Sequence, residues 1–168
     1  MDATTMRSMS SLIHKLKTTH ADIAFVEAEQ FSWSPSEHTV FYAQKQPHAS
    51  HLLLHELAHA LLEHRDYRRD IELIAMETAA WEEARLLADE YTVRLNEAVV
   101  QDHLDTYRDW LHARSTCPNC SANGYQVERF HYECPACSQR WRVNEARLCG
   151  LKRYSVAQKS SLPHEETN

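Results

Sequence analysis

One 14-residue segment limits the possible folds of this 168-residue chain more than any other. Residues 51–64 read HLLLHELAHALLEH and contain the motif His-Glu-x-x-His at positions 55–59. Leucine and alanine surround the two histidines on almost every side, and a helix that is apolar nearly all round is a buried helix. Buried histidine and glutamate side chains need polar partners. The segment therefore predicts a buried helix, over about residues 48–64, that carries a site for a ligand.

His55, Glu56 and His59 have the spacing of a zinc-binding helix. Residues four apart lie on one helix face, one turn apart, so both imidazoles can reach a single Zn²⁺ ion. Glu56 is placed beside the metal, where its carboxylate acts as the general base for an attacking water. His51 is expected to line the cleft, whereas His64, about 140° from His59, is expected at the helix end. The alternative is an accidental match on a helix of surface histidines, and the apolar surroundings argue against it.

A third zinc ligand is expected from the next helix, over about residues 70–95, because a catalytic zinc usually has three protein ligands. Glu77 lies in the middle of the apolar stripe of this helix, whereas Glu82 lies about 140° away on the polar side. A buried carboxylate is costly unless it is paired or bound to a metal. Glu77 is therefore the predicted third ligand and Glu82 the alternative, and pairing of Glu77 with a buried Arg or His is the other interpretation. The stripe within about 60° of Glu77 consists of Leu73, Ile74, Ala80, Trp81, Ala84, Ala88 and Tyr91.

The sequence HELAHALLEH, followed by ETAAWEEA at residues 77–84, resembles the ImmA/IrrE group of gluzincin metallopeptidases. That group pairs HExxH with a downstream Glu-x-x-Ala helix, and its usual Asn after the Ala is Trp81 here. The resemblance implies an α+β peptidase from a bacterium or phage, with zincin-like helices and a small N-terminal β-sheet. It also implies zinc bound by His55, His59 and Glu77, and a protein substrate of the transcriptional-repressor type.

The remaining N-terminal segments predict three strands and two further helices. Residues 23–26, 31–33 and 38–43 are short and rich in β-branched or aromatic residues, as strands are. Amphipathic spacing predicts helices over residues 5–18 and 98–113. By the same resemblance, HTVFYA at positions 38–43 is expected to be an edge strand that pairs with an extended substrate, with an interior strand as the alternative.

Four cysteines in the C-terminal part have the spacing C-x2-C-x13-C-x2-C. Four thiolates suit tetrahedral Zn²⁺, and each C-x2-C pair turns so that both sulfurs face one metal. Two disulfides and an iron–sulfur cluster are the alternatives. The segment predicts a zinc-ribbon β-hairpin with strands at 124–127 and 129–132, a third strand at 141–143, and a structural zinc ion. The predicted ligands are Cys117, Cys120, Cys134 and Cys137.

The distribution of charge indicates a domain boundary near Ser115. Residues 1–114 carry 11 Lys and Arg against 19 Asp and Glu, whereas residues 115–168 carry 7 against 5. We therefore expect a metallopeptidase domain over 1–114, a zinc ribbon with a basic extension over 115–154, and a flexible tail over 155–168. An acidic main body disfavours nucleic acid. The basic extension could form a surface that binds nucleic acid or a protein partner, but a solvated basic face is the simpler interpretation.

Together these patterns predict a cytoplasmic zinc-dependent endopeptidase with one catalytic and one structural zinc ion, a protein substrate and no membrane segment. The donor to the oxyanion is left open among Tyr67, Tyr91 and His103. Cys149 is expected to be a small unligated thiol. The alternative is a non-catalytic regulatory module that binds DNA or a protein partner through the ribbon, although such a module has no need of Glu56.

Overall fold

The computed structural model describes residues 3–146 and 150–156. These residues form a mixed α+β fold with four helices and two small sheets. The chain divides into two compact units: the first falls within residues 1–67 and 71–105, and the second within residues 68–70 and 106–168. Cys149 lies outside the described residues. No helix in the described part of the chain is long and apolar enough to cross a membrane.

The four helices and the first three strands follow the predicted order, with two helix ends that differ. The second helix ends at Leu61 because the chain turns at Glu63, which has a positive φ of 52°. The third helix ends at Glu90, about five residues before the predicted end, and Thr92 follows with a φ of 58°. In chain order the elements are α1 (Ala3–Thr19), β1 (Ala24–Glu27), β2 (Ser32–Ser34), β3 (Thr39–Tyr42), α2 (Ala49–Leu61), α3 (Asp70–Glu90) and α4 (Glu97–Ser115).

The sheet of the first unit has the strand order β1-β3-β2. β3 pairs in parallel with β1 and antiparallel with β2, so the prediction that residues 38–43 form an edge strand is wrong. The physical reason is burial: Thr39, Val40 and Tyr42 are all buried, and the most apolar strand takes the central place. In the described part of the chain, β1 and β2 are the edges of this sheet.

The core of the first unit forms around α2, as its apolar sequence predicts. Leucines on α2 pack with the apolar face of α1, with Val40 of β3 and with the small residues of α3. Ala80 and Ala84 of α3 are completely buried, which is consistent with a close approach of α3 to its neighbours. The completely buried apolar residues of this core are Leu16, Val40, Leu53, Leu54, Leu57, Ala58, Ala80, Trp81, Ala84 and Val100.

The second unit contains an antiparallel sheet of four strands in the order β4-β5-β6-β7. Its strands are β4 (Tyr125–Glu128), β5 (His131–Glu133), β6 (Arg140–Val143) and β7 (Arg153–Val156). The sequence did not predict β7, and its last two residues belong to the segment expected to be a flexible tail. The rest of that segment, residues 157–168, lies outside the described residues.

Two buried aromatic rings organise this second sheet. Trp141 and Tyr132 are stacked with their ring centroids 5.6 Å apart, and Trp141 Nε1 donates to the Arg114 carbonyl at 2.9 Å. A side chain at Gly124 would collide with the Trp141 ring and would lie 2.7 Å from the Glu133 carbonyl oxygen. Glycine at position 124 is therefore required by close packing.

Candidate metal centres

His55 and His59 on α2 and Glu77 on α3 direct their polar atoms at one point in the first unit. His55 Nε2 lies 3.1 Å from His59 Nε2 and 3.1 Å from Glu77 Oε2, and His59 Nε2 lies 3.6 Å from the same oxygen. All three residues are buried. The i and i+4 spacing on α2 and the apolar position of Glu77 on α3 thus bring together the three predicted ligands.

The triangle formed by these three atoms has the size that a zinc ion requires. Ligands about 2.0–2.1 Å from a tetrahedral zinc ion lie about 3.3–3.4 Å from one another, within the range of the three distances. Two imidazoles and one carboxylate are also a donor set that zinc accepts with a fourth position left for water. Glu82, the alternative ligand, is exposed on the opposite side of α3. The buried atoms therefore fit Zn²⁺.

Burial and mutual hydrogen bonds set the charge of this cluster. Burial is the main reason that the pKa of His55 is lowered to about 4, which leaves the ring neutral at pH 7, the form that binds a metal. Burial alone would raise the pKa of Glu77, but the hydrogen bond with His55 and the nearby His59 ring outweigh it and hold the pKa well below its usual range. Neutral histidines and an ionised glutamate are the protonation states of zinc ligands.

Glu56 lies next to this cluster without belonging to it. It follows the ligand His55 directly on α2, its side chain is half-buried, and the charges of His59 and Glu77 shift its pKa in opposite directions. Burial raises the pKa of Glu56 to about 7, while a hydrogen bond from the Trp33 backbone opposes the rise. This arrangement holds a proton-accepting group beside the point where the three ligand atoms meet.

Trp81 and His103 complete the surroundings of His55, and the sequence did not assign Trp81 a role. Trp81 is completely buried and stacks on the His55 ring at a centroid distance of 4.3 Å. His55 Nδ1 has no hydrogen-bond partner among the described residues, so stacking on Trp81 orients the ring. Trp81 Nε1 also donates to His103 Nδ1 at 3.1 Å. A neutral His103 then carries its proton on Nε2.

His64, which follows the end of α2, contacts His59 through both its backbone and its ring. After α2 ends, the His64 amide donates to the His59 carbonyl at 2.9 Å, and the two Nδ1 atoms lie 2.9 Å apart within hydrogen-bond distance. The His64 carbonyl accepts a hydrogen bond from Trp33 Nε1 at 3.0 Å. A hydrogen bond to the second nitrogen of a metal-binding histidine fixes the orientation of its ring. The sequence placed His64 at the helix end without predicting this contact.

Of the three residues proposed as oxyanion donors, His103 has a ring that contacts the His55 ring of the cluster. Its ring centroid lies 5.1 Å from that of His55. The Tyr91 hydroxyl instead pairs with His20 Nε2 at 3.2 Å. The Tyr67 amide donates to Asp66 Oδ1 at 2.9 Å. His51, which was expected to line the cleft, binds the loop after α3 by accepting the Asn96 amide at 2.9 Å.

The four predicted cysteines converge in the second unit. Cys117 Sγ lies 3.7 Å from Cys137 Sγ, and Cys120 Sγ lies 3.5 Å from Cys134 Sγ. Sulfurs about 2.3 Å from a tetrahedral zinc ion lie about 3.8 Å apart, whereas a disulfide joins them at about 2.0 Å. The four thiols are free and fit zinc, and the disulfide alternative does not match these distances.

Both C-x2-C pairs use the same local geometry to hold their sulfurs. Ser121 donates its amide to the Cys117 carbonyl at 3.0 Å, and Ser138 donates its amide to the Cys134 carbonyl at 2.9 Å. The two serines have left-handed backbone conformations, with φ of 60° and 57°. Each turn therefore presents its pair of thiols from one tight bend, and the two bends share the order Cys-Pro-x-Cys-Ser.

Comparisons with protein-family models, curated proteins and solved structures found no match. The argument for a function therefore rests on the two clusters and on the sequence motifs. The first cluster has three ligand atoms, the number of protein ligands found in zinc sites that activate water. The second has four thiols, which complete a tetrahedral site and leave no position for a substrate.

Proposed function

We propose that this protein is a zinc-dependent endopeptidase of the cytoplasm that hydrolyses a protein substrate. The observation that carries the proposal is the convergence of His55, His59 and Glu77, with Glu56 beside them. Structural zinc sites are usually closed by four protein ligands, whereas a site with three ligands and an adjacent carboxyl group is suited to hydrolysis. The four-cysteine cluster is proposed to hold the structural zinc of a zinc ribbon.

Each residue of the first cluster has a defined part in this proposal. His55, His59 and Glu77 would hold the metal, and Zn²⁺ when bound supplies Lewis acidity at this position. The Glu56 carboxylate accepts a proton from the attacking water and returns it to the leaving amine. His64 and Trp81 are positioning residues, because one contacts the His59 ring and the other stacks on His55.

His103 is the proposed donor to the oxyanion that forms on the substrate carbonyl. His103 Nδ1 accepts the hydrogen bond from Trp81 Nε1, so the proton of the neutral ring is on Nε2. The centroids of the His103 and His55 rings lie 5.1 Å apart. Burial lowers the pKa of His103 and favours the neutral ring. A positioned N–H that meets developing negative charge stabilises the transition state.

The resemblance to the ImmA/IrrE group supports a zincin-like arrangement and a transcriptional repressor as the candidate substrate. An extended substrate segment would add to β2, because β2 is an edge strand in the described part of the sheet. The Trp33 backbone in β2 also donates to Glu56, which puts this edge beside the proposed general base.

The test compares the wild-type chain with Glu56→Gln and with a matched control, Glu82→Gln, at an exposed position on α3. Each zinc-loaded protein is incubated with an unstructured protein, and products are identified by mass spectrometry. We expect Glu56→Gln to keep its zinc and to lose at least about 100-fold in cleavage rate, because removal of a general base costs that much. Glu82→Gln should cleave at the wild-type rate. Cleavage by Glu56→Gln at the wild-type rate would rule out the mechanism.

A binding module is the second candidate, and one feature of the ribbon sheet favours it. Tyr125, Val127, Tyr154 and Val156 are large apolar residues of this sheet that remain between 38% and 51% exposed. Arg142 lies 5.5 Å from the Tyr154 ring. Exposed aromatic rings with arginine suit a nucleic-acid or protein partner. A chain that binds such a partner and shows no cleavage that depends on Glu56 would favour this candidate.

A further inference from the structure

The first unit contains a cavity that is separate from the residues of the zinc cluster. It is a cavity of about 460 Å³ bounded by α1, by the start of α2 and by the loop that joins α3 to α4. Pockets that bind small molecules commonly have volumes of about 300–1,000 Å³. None of His55, Glu56, His59 or Glu77 is among its lining residues.

The charged side chains that line this cavity are all basic. Lys15 comes from α1 and Arg94 from the loop after α3, and His48 and His51 add two imidazoles. Among the described residues that line the cavity there is no Asp or Glu. Glu90 contributes to a neighbouring shallow cavity that also includes Lys15. The basic lining is unexpected, because residues 1–114 carry 11 basic against 19 acidic side chains.

The other lining residues combine hydrogen-bonding groups with an apolar wall. Ser50 and Thr92 offer hydroxyl groups, and Gln44 offers a side-chain amide. Met9 and Leu12 of α1 supply apolar surface and are buried. Lys15 and Arg94 are exposed, so solvent can reach the basic groups. A concave surface of one sign attracts ions of the opposite sign, and arginine and lysine bind oxyanions by charge-assisted hydrogen bonds.

We propose that this cavity binds a small organic oxyanion, with Lys15 and Arg94 as its charged contacts and with Met9 and Leu12 as part of its apolar wall. Phosphates and carboxylates both offer anionic oxygens that accept hydrogen bonds from lysine and arginine. The experiment below tests one anion of each kind. The site stands independently of the peptidase activity.

The position of the cavity connects it to the elements that carry the zinc cluster. His51, which lines the cavity, lies one helical turn before His55, and its Nε2 accepts the Asn96 amide at 2.9 Å. Arg94 belongs to the loop between α3, which carries Glu77, and α4, which carries His103. The cavity therefore adjoins α2 and the connection between α3 and α4.

The experiment is an NMR titration of the zinc-loaded, ¹⁵N-labelled chain with inorganic phosphate in one arm and citrate in the other. We expect saturable shifts of the Ser50, Thr92 and Val93 amides with at least one of the two anions. The affinity should fall at least about tenfold in Lys15→Gln/Arg94→Gln, because each side chain contributes a charge-assisted hydrogen bond.

Two controls make the result specific. Lys17→Gln/Lys45→Gln removes the same charge from exposed side chains that do not line the cavity, and it should leave the affinity unchanged. Glu77→Ala removes a predicted zinc ligand, and persistence of the shifts in this variant separates the cavity from anion binding at a metal. The proposal is overturned if neither anion shifts these amides, if both double variants weaken binding equally, or if binding disappears with Glu77→Ala.

Discussion

Arg114 is the residue whose replacement should most destabilise the second unit. Its side chain is 1% exposed, and the guanidinium donates from Nε to Asp70 Oδ2 at 2.6 Å. The same group donates to the Asn144 carbonyl at 2.6 Å and lies 4.6 Å from the Trp110 ring. Asp70 is 3% exposed and also accepts the Tyr132 hydroxyl. Arg114 therefore neutralises a buried carboxylate at the start of α3 and joins α4 to the residue that follows β6.

The expected cost of Arg114→Met is about 3–5 kcal/mol of the free energy of unfolding of this unit. Methionine keeps an unbranched apolar stem, so the main loss is electrostatic: the Asp70 carboxylate stays buried with the Tyr132 hydroxyl as its remaining side-chain donor. Burial of an unpaired charge, rather than the loss of the bond itself, dominates this cost.

Native-state hydrogen exchange measures the loss of stability in Arg114→Met at individual amides of the ribbon. The Cys134 and Val143 amides donate to the carbonyls of Gln139 and Phe130 within the ribbon, so their protection reports its opening. The matched control is Arg85→Met, because the Arg85–Glu97 pair has side chains that are 35% and 59% exposed. An exposed pair contributes less than about 1 kcal/mol. A loss below about 1 kcal/mol in Arg114→Met would refute the argument that Arg114 stabilises the ribbon unit.

The other predictions concern the two metal clusters. Glu77→Ala should lose one zinc ion and Glu82→Ala should keep both, because Glu77 faces His55 and Glu82 is exposed; the reverse result in zinc analysis would contradict the assignment of the third ligand. Cys134→Ser with Cys137→Ser should unfold the ribbon and leave the zinc of the first unit, because the two clusters lie in different compact units. Loss of both zinc ions together with helical circular dichroism would contradict the independence of the two sites.

The parts of the candidate sites that depend on local periodicity could be predicted from the sequence. The spacing of His55 and His59 defines a common helix face, and the apolar neighbours of Glu77 predict a buried carboxyl. The structure brings these three residues together, with Glu77 Oε2 3.1 Å from His55 Nε2. The four cysteines could likewise be predicted from the sequence, because a turn of a few residues positions both sulfurs of each pair.

The remaining features depend on contacts that no local pattern encodes. The contact of His64 with His59 requires the turn at Glu63, whose positive φ is unusual for a residue other than glycine. The central place of β3 follows from pairing with β1 and β2, and the strand sequence alone fits an edge or an interior strand. The Asp70–Arg114 pair joins residues 44 positions apart, beyond any periodicity in the sequence.

The central claim is that the chain has two separate zinc sites, and zinc content tests it most directly. The wild-type protein and the His55→Ala variant are both purified without chelator and desalted. Their zinc contents are then measured side by side by elemental mass spectrometry. We predict two zinc ions per wild-type chain and one in the variant, because His55 is a proposed ligand at the first site and does not belong to the second cluster. One zinc ion or none in the wild-type chain, or an unchanged zinc content in His55→Ala, would contradict the account.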